Sequence, residues 1–161
     1  MLVITEPHLH AHPAVLAGKK RDALRLAWEE RRWTRKRVVT TSGREVALAL
    51  PTGSVLAPGQ VVAIERDWYL VVEARSEPVL AVFPRSREEA IRIAFDVGNR
   101  HFPLALDADL LLVPDDTAME QLLTRLDAAW ERREAVFDPI GAHHPHRHGA
   151  SLVDGQTDEH A

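Results

Sequence analysis

Cysteine is missing from all 161 positions. Its absence removes disulfides, thiolate metal sites, iron–sulfur clusters and cysteine nucleophiles together, so any metal bound here meets nitrogen and oxygen. No apolar run approaches the roughly 18 residues of a membrane span. The opening MLVITEPHLHAHP meets Glu6 and Pro7 after a few apolar residues, with no basic leader; a cytoplasmic address is expected. A formal net charge of −4 gives no global pull toward nucleic acid or anionic lipid, so neither is expected as a partner. Catalytic signatures are lacking too: no HExxH, no glycine-rich phosphate loop and no nucleophile elbow. Asp107, Asp109, Asp115 and Asp116 read as turn and cap residues. The expectation is a protein that is not an enzyme.

What the chain does have is histidine. Eight of its nine histidines crowd into the first dozen and last nineteen residues. The tail places His143, His144, His146 and His148 within six residues, and neutral imidazole is a good ligand for nickel, zinc or copper. Metal capture is the reading adopted for this tract; the alternative is an unselected polar tail. In HLHAH, His8, His10 and His12 recur at period two, which puts all three on one side of an extended segment. That spacing allows a third ligand cluster, or merely an exposed strand end where histidine is tolerated. His101 stands alone in mid-chain. It is either a buried structural histidine or, if a two-fold dimer duplicates it, half of a metal site.

The first half reads as short strands between turn signals. Ser42-Gly43 makes a hairpin before the alternating Val46, Leu48 and Leu50, and Pro58-Gly59 and Arg66-Asp67 mark turns between further apolar strands. Leu24, Leu26 and Trp28 alternate as in a strand, yet Ala23, Leu24, Ala27 and Trp28 also fit a helical stripe. Residues 19–37 hold nine Lys or Arg with Trp28 and Trp33 among them; a solvated strand face is favoured over nucleic acid, with partner docking open. Pro78 suggests a joint, and the boundary is placed near residue 75.

Beyond it, VLAVFP is a strand. Ser86 and Glu89 stand at capping-box spacing before a helix whose expected buried face is Ala90, Ile91, Ala94 and Phe95, stopped by Gly98. FPLALD and DLLLVP give two strands. Asp115 or Asp116 caps a second helix with Met119, Leu122, Leu123 and Leu126 on one face, and ERREAVFDP closes with a strand. The order βαββαβ is ferredoxin-like, both helices covering one sheet face and the other free to stay open. The expected class is therefore α+β: an all-β unit over 1–75, a ferredoxin-like unit over 76–140, and a flexible His-rich tail over 141–161, too polar to offset the entropy of ordering.

Three stretches, GREVALALPTGSVLAPGQVV, GNRHFPL and the His-rich tract after FDP, together resemble the UreE family of urease nickel metallochaperones across roughly residues 20–148. The resemblance implies an N-terminal protein- or peptide-binding β unit and a C-terminal unit that forms a homodimer, and it favours a strand for LRLAW. It implies that two copies of His101 hold one Ni(II) at the dimer interface with help from tail histidines. It further implies that the cargo passes to the urease apoprotein and its accessory proteins, including the GTPase UreG. Where some members carry extra histidines before the second helix, this chain has LLLVPDD, so no site is inherited there; HLHAH lies outside the match. Zn(II) or Cu(II) would also bind such nitrogen ligands. The competing reading is a partner-docking module whose tail buffers metal.

Overall fold

The computed structural model describes residues 1–142; His143, His144, His146 and His148 lie outside the described residues. In chain order the first half holds β1 (Leu2–Ile4), α1 (Pro13–Leu16), β2 (Lys20–Leu26), α2 (Trp28–Arg31), β3 (Arg35–Val39), β4 (Glu45–Ala49), β5 (Val61–Ile64) and β6 (Trp68–Ala74). These strands form two three-stranded sheets, ordered β1-β4-β3 and β2-β6-β5. The expected hairpins are present: β3 pairs antiparallel with β4 across Gly43, whose φ of 86° is open to glycine, and β5 pairs antiparallel with β6. Each sheet also contains a parallel pair, β1 with β4 and β2 with β6, which local turn signals do not reveal. Ile4, Leu24, Leu26, Val46, Leu48 and Leu70, drawn from both sheets, are buried in one core.

The ambiguous LRLAW stretch resolves as both patterns in succession. Leu24 and Leu26 lie in β2, paired with Val72 and Ala74, and Trp28 opens the single turn α2. The unit is thus a β structure with two one-turn helices rather than wholly β. No strand forms ahead of Pro58-Gly59, although Leu56 is fully buried there.

The second half holds β7 (Ser76–Phe83), α3 (Arg87–Asn99), β8 (Ala105–Asp107), β9 (Leu110–Pro114), α4 (Thr117–Arg125) and β10 (Ala129–Val136). The antiparallel sheet runs β10-β7-β9-β8, the arrangement expected of a ferredoxin-like βαββαβ chain. Ser86 Oγ accepts from the Glu89 amide and Asp116 Oδ1 from the Ala118 amide, so both helices start at their expected caps. Pro78 is not a joint. It sits inside β7, tolerated because β7 is paired there only with Glu134 of β10, its pairing with β9 beginning at Val79.

Two further expectations change. The face of α3 that meets the sheet is Ala90, Ile93 and Val97, packed with Met119, Leu122 and Leu123 of α4; Ile91 and Phe95 point outward at 59% and 66% exposure. The opposite sheet face is not open. Val79, Ala81, Ala105 and Leu112 are covered by Trp28 of α2 and by Phe137 after β10, so the two halves share an apolar seam. Among the described residues no helix is long and apolar enough to cross a membrane.

Candidate metal centre

His101 ends α3, and its position is set by backbone chemistry. Gly98 does not stop the helix; it lies inside it, and the chain reverses three residues later, at His101, with φ 61°. The His101 amide donates to the Gly98 carbonyl at 3.0 Å and the Phe102 amide to the Val97 carbonyl at 3.3 Å, the paired bonds of a Schellman motif. Phe102 and Val97 meet in the core beneath it. A histidine thus occupies the left-handed position that glycine usually takes. The imidazole is exposed, which removes the buried-histidine alternative.

Among the described residues, no group of three or more His, Asp or Glu side chains is placed to hold a metal. His101 is one donor, and the structure does not bring His8, His10 or His12 into a cluster of three with each other or with it. Residues 8–12 form no strand, so the expected period-two row is only partly realised. His8 and His10 are neighbours with ring centroids 5.0 Å apart, whereas His12 caps α1, its Nδ1 accepting from the Ala14 amide at 3.1 Å. Asp107 closes β8, Asp109 lies in the following turn and Asp116 is a cap, as expected of them.

The basic stretch divides. Arg35, Lys36 and Arg37 are exposed on β3, but Arg31 is fully buried. Its guanidinium donates to the carbonyls of Leu26 at 3.1 Å and Phe137 at 2.6 Å and faces Asp138. Close by, the Trp28 amide donates to Glu77 Oε2 at 2.8 Å. Burial pushes the Glu77 carboxyl above its ordinary pKa, opposed by that hydrogen bond and by the charge of Arg31. This seam fixes the second unit against the first. The local charge run gives no sign of it, because its partners lie far along the chain.

The sequence model of the UreE urease accessory protein N-terminal domain matches residues 4–75, and that of the C-terminal domain matches residues 77–161. The urease accessory protein UreE of Ralstonia nicotianae is 36% identical over 150 residues, 91% of this chain and 71% of that protein. Its namesake in Paraburkholderia xenovorans is 33% identical over 92% of this chain and 67% of its own length. The one in Deinococcus radiodurans is 41% identical over 67% of this chain and 70% of its own length.

Proposed function

We propose that this chain, which belongs to the UreE family of urease accessory proteins, binds Ni(II) through histidines and delivers it to apo-urease as the urease metallocentre is assembled. The family name makes it an accessory to urease rather than an enzyme. The observation that carries the nickel reading is His101 itself, an exposed imidazole held at a glycine-type position at the end of α3. A structural role would not need a histidine at that turn.

One imidazole cannot chelate. A two-fold dimer supplies the second, and the outward Ile91 and Phe95, one turn apart on α3, give a homodimer an apolar surface to bury. His143, His144, His146 and His148 complete the ligand set from the tail. In this reading residues 1–75 dock a partner such as UreG or apo-urease, 76–140 dimerise and hold the ion, and 141–161 collect metal, all in the cytoplasm. Nitrogen donors without thiolate suit a carrier that must also release, and they would take Zn(II) or Cu(II) as well. Imidazole binds metal only when neutral, so acid weakens loading.

Equilibrium dialysis of Ni(II) against the wild type, His101→Ala and a chain ending at Gly141 is the test. His101→Ala should lose the tightest site, and truncation should lower the number of ions held. If His101→Ala keeps that site unchanged, the interfacial carrier is wrong and the tail alone handles metal.

A further inference from the structure

We infer that His8 and His10 form a second divalent-metal site on the N-terminal β unit, a two-imidazole chelate for a first-row cation such as Cu(II) or Ni(II). Leu9, between them, is partly buried, and its amide donates to the Val61 carbonyl of β5 at 2.7 Å. That bond anchors the segment at its middle residue. The exposed side chains on either side are thereby brought together, with ring centroids 5.0 Å apart and planes at 84°.

The separation is the one a shared ion requires. Metal–imidazole bonds of about 2.0–2.1 Å place each ring centroid roughly 3.2 Å from the ion, so ligand angles between square and tetrahedral give centroids about 4.5–5.2 Å apart. The pair therefore stands at a chelating separation, from which rotation about the exposed side-chain bonds can aim one nitrogen of each ring at a common ion. Pro7, next to His8, narrows the conformations the segment can take. His12 is excluded from the set. Its Nδ1 lone pair is engaged by the Ala14 amide, which leaves the proton of the neutral ring on Nε2. The structure thus selects two of the three histidines of HLHAH.

Both rings line a surface cavity of about 330 Å³ together with Pro7, Val55, Ala57 and Gln60. Since a water occupies about 30 Å³, the cavity has room for an ion and the waters that fill its remaining coordination positions, with Gln60 the polar wall facing them. No third His, Asp or Glu joins the pair among the described residues. The site is consequently open, suited to fast exchange rather than storage. Neutral nitrogen donors favour Cu(II) and Ni(II) over the harder Mg(II) and Ca(II).

The test is a titration of the full ¹⁵N-labelled chain with Cu(II) chloride, carried past the point at which the His101 and tail sites are filled and followed by NMR, since this ion is paramagnetic in every geometry. By the end of that titration the ring signals of His8 and His10 and the amides of Ala57 and Gln60 should be broadened. That broadening should vanish in His8→Ala and in His10→Ala, and persist in His12→Ala and His101→Ala. Both substituted side chains are exposed, and the amide spectra of the metal-free variants verify that the fold is kept. Sharp His8 and His10 signals while metal loads elsewhere, or broadening of Ala57 and Gln60 that survives His8→Ala and His10→Ala, would overturn the inference. Because His101→Ala is read separately, failure here leaves the carrier reading standing, and the reverse also holds.

Discussion

Arg31 Nη2 donates to the carbonyl of Phe137 at 2.6 Å, joining residues 106 positions apart, with the whole arginine side chain sealed from solvent. Burial pulls the guanidinium below its usual pKa, and the charges of Asp138 and Glu77 oppose that pull. Removing the side chain would strand the carbonyl of Phe137, leave that of Leu26 with the Arg75 amide as its remaining donor, and open a void beside Trp28. Arg31→Ala should therefore cost about 3 kcal/mol or more of unfolding free energy, measured by urea denaturation. Arg35→Ala, on the exposed β3, should change stability by less than about 0.5 kcal/mol.

Asp22 is a second buried polar group, and it makes acid sensitivity predictable. Burial alone would raise its pKa, but hydrogen bonds from Ser42, the Ala23 amide and Arg44 outweigh it and hold the carboxyl far below its ordinary 3.8. A depressed folded-state pKa stabilises the protein above the unfolded value, near 3.8, and that contribution is lost as pH falls toward the folded one. Asp22→Asn should lower stability at pH 7 by about 1.5–3 kcal/mol, the range for hydrogen bonds to a charged group. The gap to wild type should narrow progressively below pH of about 4. Denaturation midpoints collected across pH would show a constant gap if the linkage were absent.

If the outward face of α3 is where two copies meet, a charge placed on it should separate them without harming the monomer. Ile91→Asp and Phe95→Asp alter exposed side chains, so the circular dichroism of each variant should match wild type. Sedimentation of the metal-free protein should shift from dimer to monomer. An unchanged sedimentation coefficient in both variants would place the interface elsewhere.

The same helix shows where sequence reading succeeds and where it stops. Ser86 and Asp116 announce their helices because capping is local chemistry, and the β3–β4 hairpin and the strands of the second unit follow from alternation and turn residues. By contrast, β1 carries no such signal, and the strand expected ahead of Pro58 does not form. The stripe of α3 is legible as apolar but not as inward or outward. Ala90, Ile93 and Val97 compete with Ile91 and Phe95, and a helix apolar on two sides carries no mark saying which side meets its own sheet. Gly98 is the obvious stop signal, yet the reversal falls on His101, because a left-handed residue need not be glycine when other demands decide its identity. The Arg31 seam is illegible for another reason: it depends on Phe137 and Asp138, whose proximity exists only after the second unit has closed over Trp28.

That misplaced glycine signal leads to a prediction about cost and function at one residue. A non-glycine side chain at φ 61° carries a conformational penalty of roughly 1–2 kcal/mol that glycine escapes, though histidine is among the residues found there more often than most. His101→Gly should keep the two Schellman hydrogen bonds, which use only backbone atoms, and should raise stability by about 1 kcal/mol after the greater entropy of an unfolded glycine is counted. In the same protein Ni(II) binding at the tightest site should be lost. A stabilised variant that no longer loads nickel would identify His101 as a residue kept against the preference of its own backbone, the relation expected where strain is retained for function. Stability that falls on substitution would instead mean that the imidazole itself supports the fold. Thermal unfolding and dialysis on one preparation decide between these outcomes.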